Sequence, residues 1–221
     1  MEFLRAVLFD YGGVFTGTPL KAFREAAPEY GLTAQALTDL ILGPTEYDTG
    51  HPWHRLERGE VAAVDAVAEI MQLALDSHGI AVDPWKVLVR TGRAPEDRLQ
   101  MVRRVQALRA VGLQTALVTN NFREAAKHWR SSIPLDELFD TVVDSSEVGV
   151  RKPDPRIYEL TAKRLVDVDP EHCAFLDDLA GNVAGAESVG MTGVLVDEDK
   201  TSTLAWLDTL VEFRSAQPQR R

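Results

Sequence analysis

Four places in the chain carry side chains suited to chemistry on an anion. Asp10 closes the apolar run Val7, Leu8, Phe9, and Thr119, Asn120 and Asn121 close a second run. Lys152 stands in the segment GVRKPDP, and Asp177 and Asp178 close a third run. Adjacent Asp177 and Asp178 point to opposite sides if their strand persists, so one faces the same cavity as Asp10 while the other supports it. Carboxylates brought together repel, and without other cations the remedy is a hard divalent metal with oxygen ligands. Magnesium fits, because it takes one or two protein carboxylates and keeps waters for a phosphate substrate. Lys152 would bind the same anion and help keep Asp10 ionised. The stretch VLFDYGGVF also raises a question, since two residues beyond Asp10 stands Gly12 and no second acid.

Bringing these residues together requires a sheet. Short runs rich in Val, Leu and Phe recur at Ala6 to Phe9, Gln114 to Val118, Thr141 to Val143, Cys173 to Leu176 and Gly193 to Val196. Such runs fit strands buried on both faces. Between them lie segments with helical spacing. In Pro95 to Val111, Leu99, Val102, Val105 and Leu108 recur at intervals of three, and a second segment runs from Pro155 to Leu165. Strands alternating with helices predict an α/β fold, a three-layer Rossmann-like parallel sheet covered by helices. In such sheets ligands bind at the carboxyl ends of the strands, where Asp10, Thr119 and Asp177 with Asp178 fall.

Residues 16–93 behave differently, with helical patterns and no convincing strand. Thr18 before Pro19 and Asp83 before Pro84 are helix starts, Thr33 can cap another helix, and Gly31 closes the first. Glu60 to Ser77 places Val61, Val64, Val67, Ala68, Met71 and Leu75 at helical spacing. The expected organisation is a core of residues 1–15 and 94–214, an all-helical insertion at 16–93 after the first strand, and a polar, frayed tail at 215–221.

The bulk properties narrow the function classes. The 221 residues are 45% hydrophobic, enough for one large domain with an insertion. A net charge of -10 disfavours nonspecific nucleic-acid binding, which needs Lys and Arg surfaces. Cys173 is the only cysteine, so no intrachain disulfide forms and a reducing, cytoplasmic setting is expected. The sequence offers neither an apolar stretch of the roughly 20 residues that a membrane helix needs nor a signal-peptide pattern.

Taken together and in order, FDYGG, LVTNN, VRKPDPRIY and FLDDLAGN resemble the four motifs of the haloacid dehalogenase (HAD) superfamily, mostly phosphatases with a nucleophilic aspartate. The resemblance covers nearly the whole chain. Residues 16–93 resemble that family's C1-type cap, and HRLERGEV at 54–61 resembles the subgroup containing the N-terminal phosphatase domain of soluble epoxide hydrolase. The resemblance implies that Asp10 is the nucleophile, that Thr119 and Asn120 contact the phosphoryl group, and that Lys152 stabilises its oxygens. It implies a magnesium site formed by Asp10, Asp178 and the Gly12 carbonyl, with Asp177 supporting it and Asn182 orienting the loop. The expected substrate is a small phosphorylated metabolite.

Gly12 departs from the family pattern, in which that position is an aspartate that protonates the leaving oxygen and later activates water. General acid-base help is worth about 100- to 10,000-fold. Its loss implies slow turnover, a stable leaving group such as that of a sugar-1-phosphate, aryl or acyl phosphate, or an acid supplied by the cap. His51 and His54 lie in the cap segment beside Trp53 and are the candidates for that acid, although structural or surface roles are the default for all five histidines. Arg123 could meet a substrate anion, and Trp85, Trp129 and Trp206 read as packing residues.

Two other functions compete. A dehalogenase uses the same kind of aspartate on carbon, but members of the superfamily that do so work without metal, which the pair Asp177 and Asp178 opposes. A binding module without turnover would have no reason to keep a repulsive carboxylate cluster. Each motif alone also has a bland reading, as a helix cap at Asp10 or Asp177, a turn at Asn120, or a solvated charge at Lys152.

Overall fold

The computed structural model describes residues 4–92 and 94–216. Arg93, at the expected boundary between insertion and core, and residues 217–221 of the expected tail lie outside the described residues. The strands are β1 (Ala6–Phe9), β2 (Gln114–Thr119), β3 (Thr141–Asp144), β4 (Cys173–Asp177) and β5 (Thr192–Leu195). They form one sheet in the order β3-β2-β1-β4-β5, with every pairing parallel. The chain steps outward from β1 through β2 to β3, then returns to place β4 on the other side of β1. That reversal opens a crevice at the carboxyl end of β1.

Alternation along the strands divides the core. Val7, Phe9, Leu117 and Leu176 face one layer, where they meet Val105 and Leu108 of α6 (Pro95–Ala110) and Leu207 and Leu210 of α12 (Thr201–Ser215). Ala6, Leu8, Val118 and Phe175 face the other, against Ile157 and Tyr158 of α10 (Pro155–Arg164) and Ala186 of α11 (Ala180–Glu187). Three short helices, α7 (Ala126–Arg130), α8 (Leu135–Leu138) and α9 (Ser145–Val148), flank β3.

The insertion between β1 and α6 is helical, as expected. It comprises α1 (Pro19–Ala26), a 3-10 turn at Ala27–Tyr30, α2 (Ala34–Leu42), α3 (Pro52–Glu57), α4 (Ala63–His78) and α5 (Pro84–Leu88). Three of the expected caps are present: Thr18, Thr33 and Asp83 accept from the backbone N–H groups of Leu20, Ala36 and Trp85. Gly31 closes the turn with φ 67°, a conformation available to glycine at little cost. The insertion has its own core, built on Phe23, Leu37, Ile41, Trp53, Ile70 and Val87. No helix of the described residues is long and apolar enough to cross a membrane.

Two helices turn differently from their sequence reading. In α6, Leu99 is exposed while Met101, Val105 and Leu108 are buried. An interval of three residues drifts by about 60° per step on a helix, so Leu99 and Leu108 cannot share one face. Helix α4 starts at Ala63 and buries Ala66, Ile70 and Ala74, leaving Val64, Met71 and Leu75 outside. Each set shares a helical face, and packing on the core of the insertion selected Ala66, Ile70 and Ala74. Strands β2, β3 and β4 each run one residue longer than expected, and β5 ends one residue earlier.

Candidate active site

The carboxyl end of β1 delivers Asp10, held in register by its N–H donating to the Leu176 carbonyl at 2.8 Å. Parallel pairing then sets Asp177, at the end of β4, beside it. Lys152 arrives from the loop before α10 and is completely buried. Its ammonium lies 2.7 Å from Asp10 Oδ1 and 2.6 Å from Asp177 Oδ2. Burial opposes the charge on Lys152, but the two carboxylates outweigh it and raise its pKa.

Asp177 and Asn182 are tied together by specific bonds. Asn182 Nδ2 donates to both oxygens of Asp177, the Leu179 N–H donates to Oδ1, and Tyr158 hydroxyl fixes Asn182 by donating to its carbonyl at 2.6 Å. Asp177 is therefore saturated by protein donors. Asn120 borders the cleft, and its amide also grips the backbone of Lys152: Nδ2 donates to the Lys152 carbonyl and Oδ1 accepts from the Lys152 N–H. Thr119 ends β2 and borders the cavity.

Asp178 turns the other way from Asp177, toward the start of the insertion. Thr18 hydroxyl donates to its Oδ2 at 2.5 Å. Gly13, at φ +63°, packs so closely that a Cβ there would sit 2.1 Å from Asp178 Cγ. The Gly12 carbonyl accepts from the Val14 N–H at 2.6 Å, which leaves one of its two lone pairs.

Oxygens of Asp10, Asp177 and Asp178 lie within 4.8 Å of one another. Three carboxylates thus stand against one ammonium. Burial, then the neighbouring carboxylates, raises the Asp10 pKa well above the ordinary range despite Lys152. The same causes raise Asp178 to about 7, against the Thr18 hydrogen bond and Lys152. The burial and mutual repulsion that raise Asp10 and Asp178 are relieved by a divalent cation with oxygen ligands.

Above these groups lies a cleft of about 180 Å³, roofed by Leu42, Trp53, Glu57 and Leu88 of the insertion. Sequence reasoning missed Glu57 and Arg151 there. Glu57 Oε2 accepts from Arg151 Nε at 2.7 Å, and Glu57 Oε1 accepts from Trp53 Nε1 at 2.9 Å. Arg151 precedes Lys152 and Glu57 lies within HRLERGEV, but no local pattern pairs them. The histidines do not border the cleft. His51 accepts from the Trp53 N–H, and fully buried His54 accepts at Nδ1 from the Thr49 N–H. Burial followed by the nearby Arg151 lowers His54 to about 3, so it is neutral and no source of a proton. Arg123 donates to the Ser146 carbonyl and lines a separate cleft with Gly59 and Glu60.

An aspartate at the sheet switch point, a buried lysine between two carboxylates and a helical insertion over the strand ends accompany a match to one family of hydrolases. The sequence model for the haloacid dehalogenase-like hydrolases matches residues 4–190, and the chain belongs to that family. It is 33% identical over 95% of its length to mouse acyl-CoA dehydrogenase family member 10, of which it spans 19%. It is 34% identical over 87% of its length to mouse bifunctional epoxide hydrolase 2, of which it spans 36%. A Pseudomonas (S)-2-haloacid dehalogenase is 26% identical over 89% of this chain and 86% of its own. Among solved structures, a Bacteroides thetaiotaomicron HAD family enzyme in complex with magnesium and inorganic phosphate superposes with a TM-score of 0.54 at 17% identity, covering 88% of this chain and 95% of that one.

Proposed function

We propose that this hydrolase is a magnesium-dependent phosphatase acting on a small phosphorylated metabolite. The observation that carries the reading is the placement of Lys152 between Asp10 and Asp177, with Asp178 completing an acidic set. Asp10 would attack phosphorus in line with the leaving oxygen, and an aspartyl-phosphate on Asp10 would then be hydrolysed by water. Lys152 would neutralise the transferring group, and Thr119 would contact it. Asn120 would set the position of Lys152, a role its two backbone bonds support.

Asp10, Asp178 and the Gly12 carbonyl would hold the ion, with Asp177 and Asn182 behind them. When bound, it supplies Lewis-acid stabilisation of the phosphoryl oxygens and offsets the carboxylates. The magnesium and phosphate in the Bacteroides relative support this assignment.

Gly12 supplies no acid, and neither histidine of the cap reaches the cleft. Glu57 does reach it, but both its oxygens are engaged as acceptors. The reading therefore favours leaving groups that need no proton, such as those of sugar-1-phosphates, aryl phosphates or acyl phosphates. Residues 16–93 would select the substrate as a cap over a core of 1–15 and 94–214, and the lone buried Cys173 is in keeping with a reducing, cytoplasmic setting.

The test is phosphate release from a phosphoester panel with magnesium or with chelator, beside Asp10→Asn. Release that needs both the metal and Asp10 is the expected result. Metal-independent release of chloride from a 2-haloacid would instead favour dehalogenation, and an intact fold without turnover would favour a binding module.

A further inference from the structure

Arg151 borders the Asp10 cleft next to Lys152, with its side chain only 6% exposed. One of its five N–H donors is used, in the bond from Nε to Glu57 Oε2 at 2.7 Å. Glu57 is itself anchored by Trp53 Nε1, which fixes the plane of the guanidinium. Nη1 is enclosed and finds no hydrogen-bond acceptor among the described residues. Asp48 Oδ1 lies 3.5 Å from it but is taken by Arg58 Nη1 at 2.5 Å. Nη2 donates no hydrogen bond to any described residue.

A buried guanidinium with an unused donor is costly, so an oxygen brought within reach of Nη2 is bound favourably. Glu57 already offsets the charge of Arg151, which makes a neutral oxygen a better partner than another carboxylate. The surrounding walls are apolar, formed by Pro19, Leu42, Trp53 and Leu88, and the cleft of about 180 Å³ admits a compact group.

We propose that Arg151 reads the leaving group of the substrate, donating from Nη2 to a hydroxyl or carbonyl oxygen on a compact organic moiety held against those walls. Glu57 is the positioning residue that holds the guanidinium in place. This assignment rests on the phosphatase reading and narrows it to phosphoesters whose leaving group carries a neutral oxygen acceptor.

The test compares glucose 1-phosphate, whose ring bears hydroxyls, with phenyl phosphate, whose ring bears none. Steady-state kinetics are measured for the wild type, for Arg151→Met, and for the double variant Glu57→Gln/Arg151→Met, which leaves no carboxylate facing a missing cation. Thermal melting confirms that each variant folds. The expected result is a loss of about 10- to 100-fold in kcat/KM on glucose 1-phosphate in the double variant, equivalent to one hydrogen bond from a charged donor, with phenyl phosphate little changed. Taking ratios within each substrate cancels the difference in leaving-group chemistry. Equal loss on both substrates, or loss on neither, overturns the role of Arg151 while leaving the phosphatase intact, as does a wild type that hydrolyses phenyl phosphate alone. A wild type that releases phosphate from neither substrate fails the phosphatase reading, and this assignment with it.

Discussion

Lys152 Nζ lies 2.7 Å from Asp10 Oδ1, a buried ammonium held against the carboxylate that ends β1. The same nitrogen serves Asp177, so one fully buried lysine faces two acids. Removing one partner from such a pair leaves uncompensated charge. Lys152→Met should destabilise the fold by about 3–5 kcal/mol and abolish phosphate release. Urea denaturation with and without magnesium checks this, with the ion expected to recover part of the loss; full stability without metal would show that the acids are not charged together.

Gly12 can be given the acid it lacks. A Cβ at this position would meet only Asp10 Oδ2, at an ordinary 3.6 Å. Gly12→Asp should raise kcat on alkyl phosphates by about 100- to 10,000-fold, with a much smaller gain on aryl phosphates whose oxygen leaves unaided. Uniform gain across leaving groups would argue that the new carboxylate acts otherwise.

Gly13 has no such room. Gly13→Ala would push its methyl into Asp178 from a positive φ, displacing the carboxylate. Calorimetry should then find magnesium binding lost while circular dichroism remains that of the wild type. Retained binding would remove Asp178 from the ligand set.

Magnesium affinity should depend on pH. Asp178, raised to about 7 by burial and by Asp177, carries a proton below that value, and the ion must displace it. Affinity should fall as pH drops below 7, by up to about tenfold per unit, and level off above it. Titrations from pH 5.5 to 8.5 test this, and a flat profile would contradict the placement of the cluster.

His54 sets a second pH dependence, on stability. Its folded value of about 3 lies below the ordinary 6.5, so between these limits the unfolded chain binds the extra proton. Stability contributed by neutral His54 is therefore complete above 6.5 and is lost as pH falls toward 3. Asn can accept from the Thr49 N–H as Nδ1 does, so His54→Asn should show a shallower acid limb in denaturant midpoints. An unchanged limb would place the acid sensitivity elsewhere.

Much of this molecule is legible along the chain. Leu8 and Phe9 before Asp10, and Phe175 and Leu176 before Asp177, announce strands buried on both faces that end in an acid. Thr18 with Pro19 and Asp83 with Pro84 announce helices by local capping chemistry, which depends only on neighbours. Periodicity was less informative for α4, where two apolar stripes were available and packing chose Ala66, Ile70 and Ala74 over Val64, Met71 and Leu75.

The sequence by itself determined the strand and helix succession and the helical insertion, and it singled out Asp10, Thr119, Lys152, Asp177 and Asp178 as candidates, because each is written in a short local pattern. Only the tertiary structure decided which partners meet. Thr18 reaches Asp178 across 160 residues and Arg151 reaches Glu57 across 94, while Asn120 turns to the Lys152 backbone. Such pairings leave no trace in local spacing, since they follow from the sheet order and from how the insertion folds back over the strand ends. That closure also shut the histidines away from the cleft and set Glu57 and Arg151 there instead.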